Sequence, residues 1–380
     1  MTTMSIEKIR IGIIGVGGMG SGHAMGIHSG TGNTIWSTQI DYVPPFPGEM
    51  TSNLPDYLEL AGVYDINPAR NEWAKDHGIN VFESNEAMMA DPTVDAILIA
   101  TPNHLHKQLA IAAMRAGKHV LCEKPVMMSS EELLEVMAVS KETGKVFYPR
   151  QNREWDEDFL MVKKIYDEGL LGNLFNIKCR IMGSRGIPGD WRGVKEFGGG
   201  MMLDWGVHII DRIVKMVPEK ITNLFCHFTY ITNPECDDGF QLNLTFESGL
   251  TVNLEVGTCH FVNEPLWCVY GDKGSAMIDG WGKDCKMARL VSWDDKDATP
   301  IMAGAGLTKT MAPRSGGSSV EEFTLPRFDF DRNTLYRNFV EVCRGQAEQI
   351  VTQEHALRVL RIMEACYESS ETGKAIAFEA

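Results

Sequence analysis

Two segments of the 380-residue sequence carry side chains suited to oxidising or reducing an alcohol. Lys124 stands in Cys122-Glu123-Lys124-Pro125, where an ammonium fixed before a proline suits a reacting hydroxyl, although most lysines are solvated surface charges. Asp204 and His208 are four residues apart, so on a helix they share one face. A histidine beside a carboxylate can accept the alcohol proton as hydride leaves the carbon. A satisfied core histidine is the alternative, and the spacing alone favours it.

A third segment predicts a dinucleotide site. Gly15-Val16-Gly17-Gly18-Met19-Gly20 fits G-x-G-x-x-G directly after a predicted strand. Glycines there allow a tight turn and let backbone N–H groups approach a pyrophosphate, whereas a turn without a ligand is the weaker alternative. Asp65, after the second predicted strand, would accept both adenosine ribose hydroxyls and repel a 2′-phosphate. We therefore expect NAD in preference to NADP.

The separation of Asp65 from the glycines predicts an insertion. Asp65 follows Gly20 by 45 residues, against about 20 in the standard unit. We place the extra chain at about residues 27–56, which contain three aromatic residues and four prolines. A surface loop and a lid over the substrate cleft are both open interpretations.

The first third of the chain contains the elements that must position these residues. Short β-branched runs alternate with helical patterns, which is typical of a parallel sheet with crossover helices. One predicted helix starts near Pro68, and a second spans 105–117. The predicted strands are Ile9–Ile14, Leu60–Tyr64, Ala96–Ala100, His119–Leu121 and Val146–Tyr148.

Beyond residue 150 the pattern changes. A helix is predicted over 156–168, and the alternating runs 240–246 and 251–256 predict half-buried antiparallel strands joined by a turn at 247–249. Residues 302–319 are rich in small and polar types and predict a mobile loop. One long helical pattern covers 332–371.

Composition limits the possible functions. The formal net charge is −15 and Lys and Arg do not cluster, so we expect no nucleic-acid partner. No apolar run predicts a signal peptide or membrane span. The nine scattered cysteines lack metal-site spacing, so we expect reduced thiols, a cytoplasmic protein and no metal. A chain of this length favours two domains.

The combined motifs resemble the Gfo/Idh/MocA oxidoreductases, the family of glucose–fructose oxidoreductase and inositol dehydrogenase. The resemblance rests on the glycine turn, Ala100–His106, Ala116–Pro125 and Gly198–Asp211, and it extends to the closing helical segments. It implies an α/β protein with a doubly wound Rossmann domain at 1–149. Residues 150–380 would then form an α+β domain with a large open, mostly antiparallel sheet that also serves a homo-oligomer, from dimer to hexamer.

The resemblance also assigns roles. Lys124 would polarise the hydroxyl, His208 would be the general acid/base, and Asp204 would hold substrate and orient His208. The expected cofactor-binding residues are Gly15, Gly17, Gly18, Met19, Gly20, Asp65, Ile66, Thr101, Pro102, Asn103, His106, Glu123 and Lys124. The expected substrate-binding residues are Lys124, Asn152, Arg153, Trp191, Arg192, Asp204 and His208.

Two features depart from the family pattern. Many relatives carry an aromatic-Asn-x-Arg-Arg run where this chain has Arg150-Gln-Asn-Arg-Glu-Trp155, which leaves open whether Arg150, Asn152 or Arg153 reaches the substrate. The insertion at 27–56 is the second departure.

Three functions are compatible with these residues. The favoured one is NAD-dependent hydride transfer at a secondary alcohol of a sugar, glycoside or cyclitol, with C3 of a glucosyl unit as one version. The second is an NAD-dependent glycosidase that works by transient oxidation and elimination. The third is a dinucleotide-binding sensor, which the presence of both Lys124 and His208 disfavours.

Overall fold

A computed structural model describes residues 8–30, 53–293, 299–312, 319–328, 331 and 333–378. The predicted insertion at 27–56 lies mostly outside these residues. Its described ends are the last helical turn before Gly30 and a short 3₁₀ helix, Leu54–Asp56. Surface loop and lid therefore both stay predictions.

The first part of the chain is a five-stranded parallel sheet with strand order β2-β1-β3-β4-β5. Because β1 pairs with both β2 and β3, the chain reverses direction across the sheet beside β1, where such folds bind ligands at the carboxyl ends of the strands. The predicted strands and the helix start near Pro68 are confirmed. The elements are β1 (Ile9–Ile14), α1 (Gly18–Ser29), β2 (Leu58–Tyr64), α2 (Pro68–Asp76), α3 (Asn85–Ala90), β3 (Ala96–Ile99), α4 (His106–Arg115), β4 (His119–Glu123), α5 (Ser130–Thr143) and β5 (Phe147–Arg150).

The second part is a nine-stranded sheet, mostly antiparallel, covered on one face by helices. Its strand order is β15-β12-β11-β10-β6-β9-β8-β7-β16, with β6 and β9 parallel. The elements are α6 (Glu157–Asp167), β6 (Leu174–Met182), α7 (Val207–Met216), β7 (Ile221–Thr229), β8 (Gly239–Phe246), β9 (Thr251–Gly257), β10 (Trp267–Gly271), β11 (Gly274–Ile278), β12 (Cys285–Leu290), β13 (Ile301–Ala303), β14 (Gly306–Thr308), β15 (Val320–Leu325), α8 (Thr334–Cys343), α9 (Gln353–Thr372) and β16 (Ile376–Ala377).

Two predictions for this part are wrong. The single helix over 332–371 is two helices, α8 and α9, and Gly345 between them has a φ of 66°, which no α-helix allows. The loop predicted at 302–319 contains the antiparallel hairpin β13–β14, while residues 313–318 lie outside the described part. The predicted helix over 156–168 and the strands on either side of residues 247–249 are confirmed.

The boundary predicted at residues 149 and 150 falls at the end of β5 and stays a prediction. The final part of the chain does not remain with the second sheet, because α8 packs into the core of the first. Leu335, Phe339 and Val340 are buried there with Ile9 and Ile11 of β1. Helix α8 thereby brings Tyr336 beneath the carboxyl ends of the parallel strands. Among the described residues, no helix combines the length and apolarity needed to cross a bilayer.

Candidate active site

The glycine turn after β1 leaves room for a diphosphate. Gly15 has a φ of 93°, and a side-chain carbon there would lie 2.7 Å from the Ala100 carbonyl oxygen. At Gly20 the same carbon would lie 1.8 Å from the Gly15 carbonyl oxygen, so the turn closes only with glycine. No side chain caps α1 at Gly17. Its first N–H groups and the positive end of its dipole therefore suit an anionic ligand.

Asp65 lies at the end of β2, beside this turn. Its Oδ2 accepts a hydrogen bond from the Val16 N–H at 2.7 Å, and its Oδ1 accepts one from the Asn67 N–H at 2.8 Å. Both bonds hold the carboxylate toward the cleft, and each oxygen retains lone pairs for ribose hydroxyls. The Arg70 guanidinium lies 4.0 Å away and is nearly half exposed. The turn and this carboxylate together fit an adenosine dinucleotide.

The loop after β3 adds a third wall. Thr101, Pro102 and Asn103 line the cavity, and the buried Thr101 hydroxyl has no partner among the described residues, which suits a ribose or amide group of a ligand. The Asn103 amide donates to the Gly198 carbonyl at 2.8 Å. His106 was predicted to bind the cofactor, but it does not reach the cavity. Its ring lies behind the wall, within 3.0 Å of the Thr101 and Pro125 carbonyls. It holds the two loops together and does not line the cavity.

Lys124 and Asp204 join the two halves of the molecule. The Lys124 ammonium donates to the Asp204 carboxylate Oδ1 at 2.8 Å and to its main-chain oxygen at 2.7 Å. The Arg192 Nε donates to the other carboxylate oxygen, Oδ2, at 3.2 Å. Burial opposes ionisation of Asp204, but Lys124 and Arg192 outweigh it and hold the pKa of Asp204 below its usual value.

His208 follows on the first turn of α7, after a π-helical turn, Met202–Gly206. The side chain is buried, and burial together with the Lys124 and Arg153 cations holds the His208 pKa well below 6.5. The imidazole is therefore neutral at pH 7. Asp204 bonds Lys124 and Arg192 and makes no hydrogen bond to His208 among the described contacts, so the predicted orienting bond is absent. The edge of the Trp205 indole packs against the imidazole, 5.9 Å between ring centroids.

A buried hydrogen-bond network beside Lys124 was not predicted from the sequence. Glu123 Oε1 accepts from His23 Nε2 at 2.6 Å and from Arg150 at 2.9 Å, and its Oε2 faces the Lys124 N–H at 3.2 Å. Tyr336 closes the network by bonding His23 Nδ1 at 2.5 Å and accepting from Arg150 at 3.2 Å. Burial opposes ionisation, yet Arg150 and His23 lower the Glu123 pKa to about 2. Lys124 is thus anchored through its neighbour.

The opposite side of the cavity is lined by Asn152, Arg153, Trp191 and Arg192, all predicted to bind substrate. The Arg153 guanidinium lies over the Trp205 ring, 4.7 Å from its centroid, and that of Arg192 lies 4.6 Å from the Trp191 centroid. Cation–π contact of this kind fixes the direction of both guanidinium groups.

All of these side chains border one cavity of about 920 Å³. The predicted site residues lie on its wall except Gly20 and His106, which support the wall from behind. The lining residues absent from the sequence prediction include His23, Asp156, Asp190, Trp205 and Tyr336. Asp190 and Trp205 had a local signal, since each adjoins a predicted site residue, Trp191 or Asp204.

Comparison with known proteins gives one consistent answer. Residues 9–151 match the model of an oxidoreductase family with an NAD-binding Rossmann fold, and residues 159–277 match a GFO/IDH/MocA C-terminal domain. The chain is similar to scyllo-inositol 2-dehydrogenase (NADP(+)) IolW of Bacillus subtilis, 29% identical over 85% of this chain and 90% of the relative.

Two further similarities extend this comparison. A 2,7-anhydro-N-acetylneuraminate hydratase of Escherichia coli is 28% identical over 60% of this chain and 62% of its own. The solved structure of an NAD-binding protein from Listeria innocua is 39% identical, covers 98% of this chain and 100% of its own, and superposes with a TM-score of 0.86.

Proposed function

Because this chain belongs to the oxidoreductase family with an NAD-binding Rossmann fold and a GFO/IDH/MocA C-terminal domain, we propose that it transfers hydride between NAD and a secondary alcohol of a neutral sugar, glycoside or cyclitol. The observation that carries the proposal is the common wall shared by Lys124, Asp204, His208 and the glycine turn. When bound, the nicotinamide accepts or donates the hydride. The residues of this chain supply binding, charge and proton transfer.

The charges around the reacting hydroxyl support these roles for Lys124 and His208. An ammonium has three donor protons, and Lys124 uses two on Asp204, so the third is available to a substrate oxygen. A hydrogen bond from a cation stabilises negative charge developing on that oxygen as its proton leaves. His208, neutral at pH 7, is in the form that accepts the proton in oxidation. In reduction its protonated form would be a strong acid for the reverse transfer.

The charge balance of the cavity favours an uncharged substrate. Among the described residues, five cationic side chains line it, and so do five carboxylates. The cationic residues are Arg70, Lys124, Arg150, Arg153 and Arg192; the acidic residues are Asp65, Glu123, Asp156, Asp190 and Asp204. Arg153 pairs with Asp156 at 2.8 Å and Arg192 pairs with Asp190 at 2.9 Å. A carboxylate on the substrate would have to displace one of these partners, whereas a polyol hydroxyl would not.

We propose NAD as the preferred dinucleotide, because the fixed Asp65 carboxylate would repel a 2′-phosphate. Arg70, whose guanidinium lies 4.0 Å from Asp65, would attract such a phosphate. Because the chain is similar to an NADP-dependent inositol dehydrogenase, the ratio of kcat/KM for NAD over NADP is the quantity to measure. Oxidation at C3 of a glucosyl unit is the finer version of the proposal.

The test is reduction of NAD or NADP, followed at 340 nm, with a panel of cyclitols, free sugars and glycosides. We expect NADH formation with at least one polyol and a higher kcat/KM with NAD than with NADP. His208→Gln should bind the dinucleotide but lose turnover. Absence of NADH with every polyol in the panel would refute net hydride transfer.

A second function is favoured by the similarity to the Escherichia coli hydratase of an anhydro sugar. In this version NAD, when bound, would supply a hydride acceptor and return the same hydride, so that water replaces the leaving group with no net oxidation. The same Lys124, Asp204 and His208 would serve. Release of sugar from a glycoside without accumulation of NADH, assayed in parallel, distinguishes it from net oxidation.

A further inference from the structure

Outside the cavity wall, three side chains from separate helical segments converge. Glu154 lies in the short 3₁₀ helix Asn152–Trp155, Asp211 lies in α7 and His355 lies in α9. One donor atom from each lies within 4.8 Å of the other two. Glu154 and Asp211 are buried, and His355 is 16% exposed, which leaves a path from solvent. The cluster is independent of the proposed function.

The carboxylates of this cluster retain unused lone pairs. Asp211 Oδ1 pairs with His355 Nε2 at 2.7 Å, and Glu154 Oε2 pairs with the Lys215 ammonium at 3.0 Å. The other oxygens, Asp211 Oδ2 and Glu154 Oε1, are buried and have no partner among the described residues. A buried carboxylate oxygen without a partner has lost its hydration without gaining a hydrogen bond, so it suits an incoming cation.

We propose that Glu154, Asp211 and His355 form a binding site for one divalent transition-metal ion, for which Zn²⁺ is the probe. Two carboxylates and an imidazole are a donor set that suits Zn²⁺ and Mn²⁺, whereas Mg²⁺ and Ca²⁺ favour oxygen ligands alone. The ion would take the two unpaired oxygens and displace His355 from Asp211, while Lys215 keeps Glu154 Oε2. Three protein ligands leave a fourth position for water.

The position of the cluster gives the ion a structural role. Asp211 lies three residues after His208 on α7, and Glu154 follows Arg153 of the cavity wall. A bound ion would therefore tie the catalytic helix to the segment that carries the substrate-side residues and to α9. We expect thermal stability, and not dinucleotide affinity, to respond to it.

The experiment is calorimetric titration of the full-length protein with Zn²⁺ after treatment with a chelator and its removal. We expect one equivalent to bind and the thermal unfolding midpoint to rise with Zn²⁺ concentration. His355→Gln keeps a hydrogen-bonding side chain and should weaken Zn²⁺ binding by at least about tenfold, as should Glu154→Gln. His227→Gln, at an exposed position of β7, is the matched control and should bind like the wild type.

Three results would overturn the site. The first is no stoichiometric binding to the wild-type protein, and the second is wild-type affinity in both variants, which would place the ion elsewhere. The third is equal affinity for Mg²⁺. X-ray absorption of the Zn²⁺-loaded wild type needs no variant: we expect nitrogen and oxygen neighbours at about 2.0–2.2 Å, and a sulfur shell would exclude this cluster.

Discussion

The neutrality of His208 has a measurable effect on stability. The imidazole is neutral in the folded protein because burial and nearby cations, Lys124 and Arg153 foremost, oppose its charge, whereas its unfolded pKa is 6.5. Between pH 7.5 and 5.5 the unfolded chain takes up most of one proton at this residue, and the folded protein takes up less. The unfolded state therefore binds more protons, and stability falls as pH falls below 6.5. The loss from this residue is at most about 1.4 kcal/mol over the interval.

The assay is urea-induced unfolding of wild-type protein and His208→Gln at pH 7.5 and 5.5. Glutamine removes the titrating group, so the variant should lose less stability than the wild type on acidification, by up to about 1.4 kcal/mol. His227→Gln removes an exposed histidine and serves as the control, which should follow the wild type. Other titrating groups contribute equally to all three proteins and cancel in the comparison.

An equal loss in wild type and His208→Gln would refute the reasoning, because His208 would then bind its proton equally in both states. A larger loss in the variant would mean that the native imidazole is charged. The kinetic counterpart is the acid limb of kcat/KM for alcohol oxidation. It should lie below pH 6.5, since His208, the proposed general base, has its pKa lowered below that value.

Three other perturbations test neighbouring parts of the site. Lys124→Met should lower turnover by about 10²–10⁴ while the dinucleotide Kd, measured by fluorescence titration, changes little; wild-type turnover would remove the role proposed for Lys124. Asp65→Asn should lower the ratio of kcat/KM for NAD over NADP by about tenfold or more, and an unchanged ratio would mean that Asp65 does not face the ribose. Gly20→Ala should abolish dinucleotide binding and lower the thermal midpoint, because its new carbon meets the Gly15 carbonyl at 1.8 Å. Gly18→Ala, with no atom within 4 Å of the new carbon, should not lower the midpoint; equal behaviour of the two would contradict the packing of the turn.

The parallel sheet and the glycine turn were predictable because their signals are local. A strand, its glycines and the following helix occupy one short stretch, so the local sequence pattern is enough to predict the strand–turn–helix unit. The second half was harder to predict. Residues 332–371 have one helical pattern, and only the left-handed conformation of Gly345 divides it into α8 and α9. A hairpin such as β13–β14, with three residues in each strand, is too short for alternation to register.

The missed site residues share a different cause. His23 and Tyr336 are 313 positions apart and meet because α8 returns to the first sheet. The donors of the proposed metal site, Glu154, Asp211 and His355, come from three helical segments, so no sequence spacing indicates them, and the sequence led us to expect no metal. For His106 the resemblance gave the right neighbourhood but not the direction of the side chain, which both ring nitrogens show to be structural.

The position of Lys124 depends on groups from both halves of the molecule. Glu123 fixes its backbone from the first sheet, and the Asp204 side chain and main chain fix its ammonium from the second. Asp237 in turn accepts the Met202 N–H at 2.7 Å and holds the π-helical turn that presents Asp204. A substrate oxygen that accepts a hydrogen bond from the third ammonium proton would therefore be positioned by groups from both sheets. Any change in how the halves pack would displace the reacting hydroxyl from His208 without altering a residue that touches it.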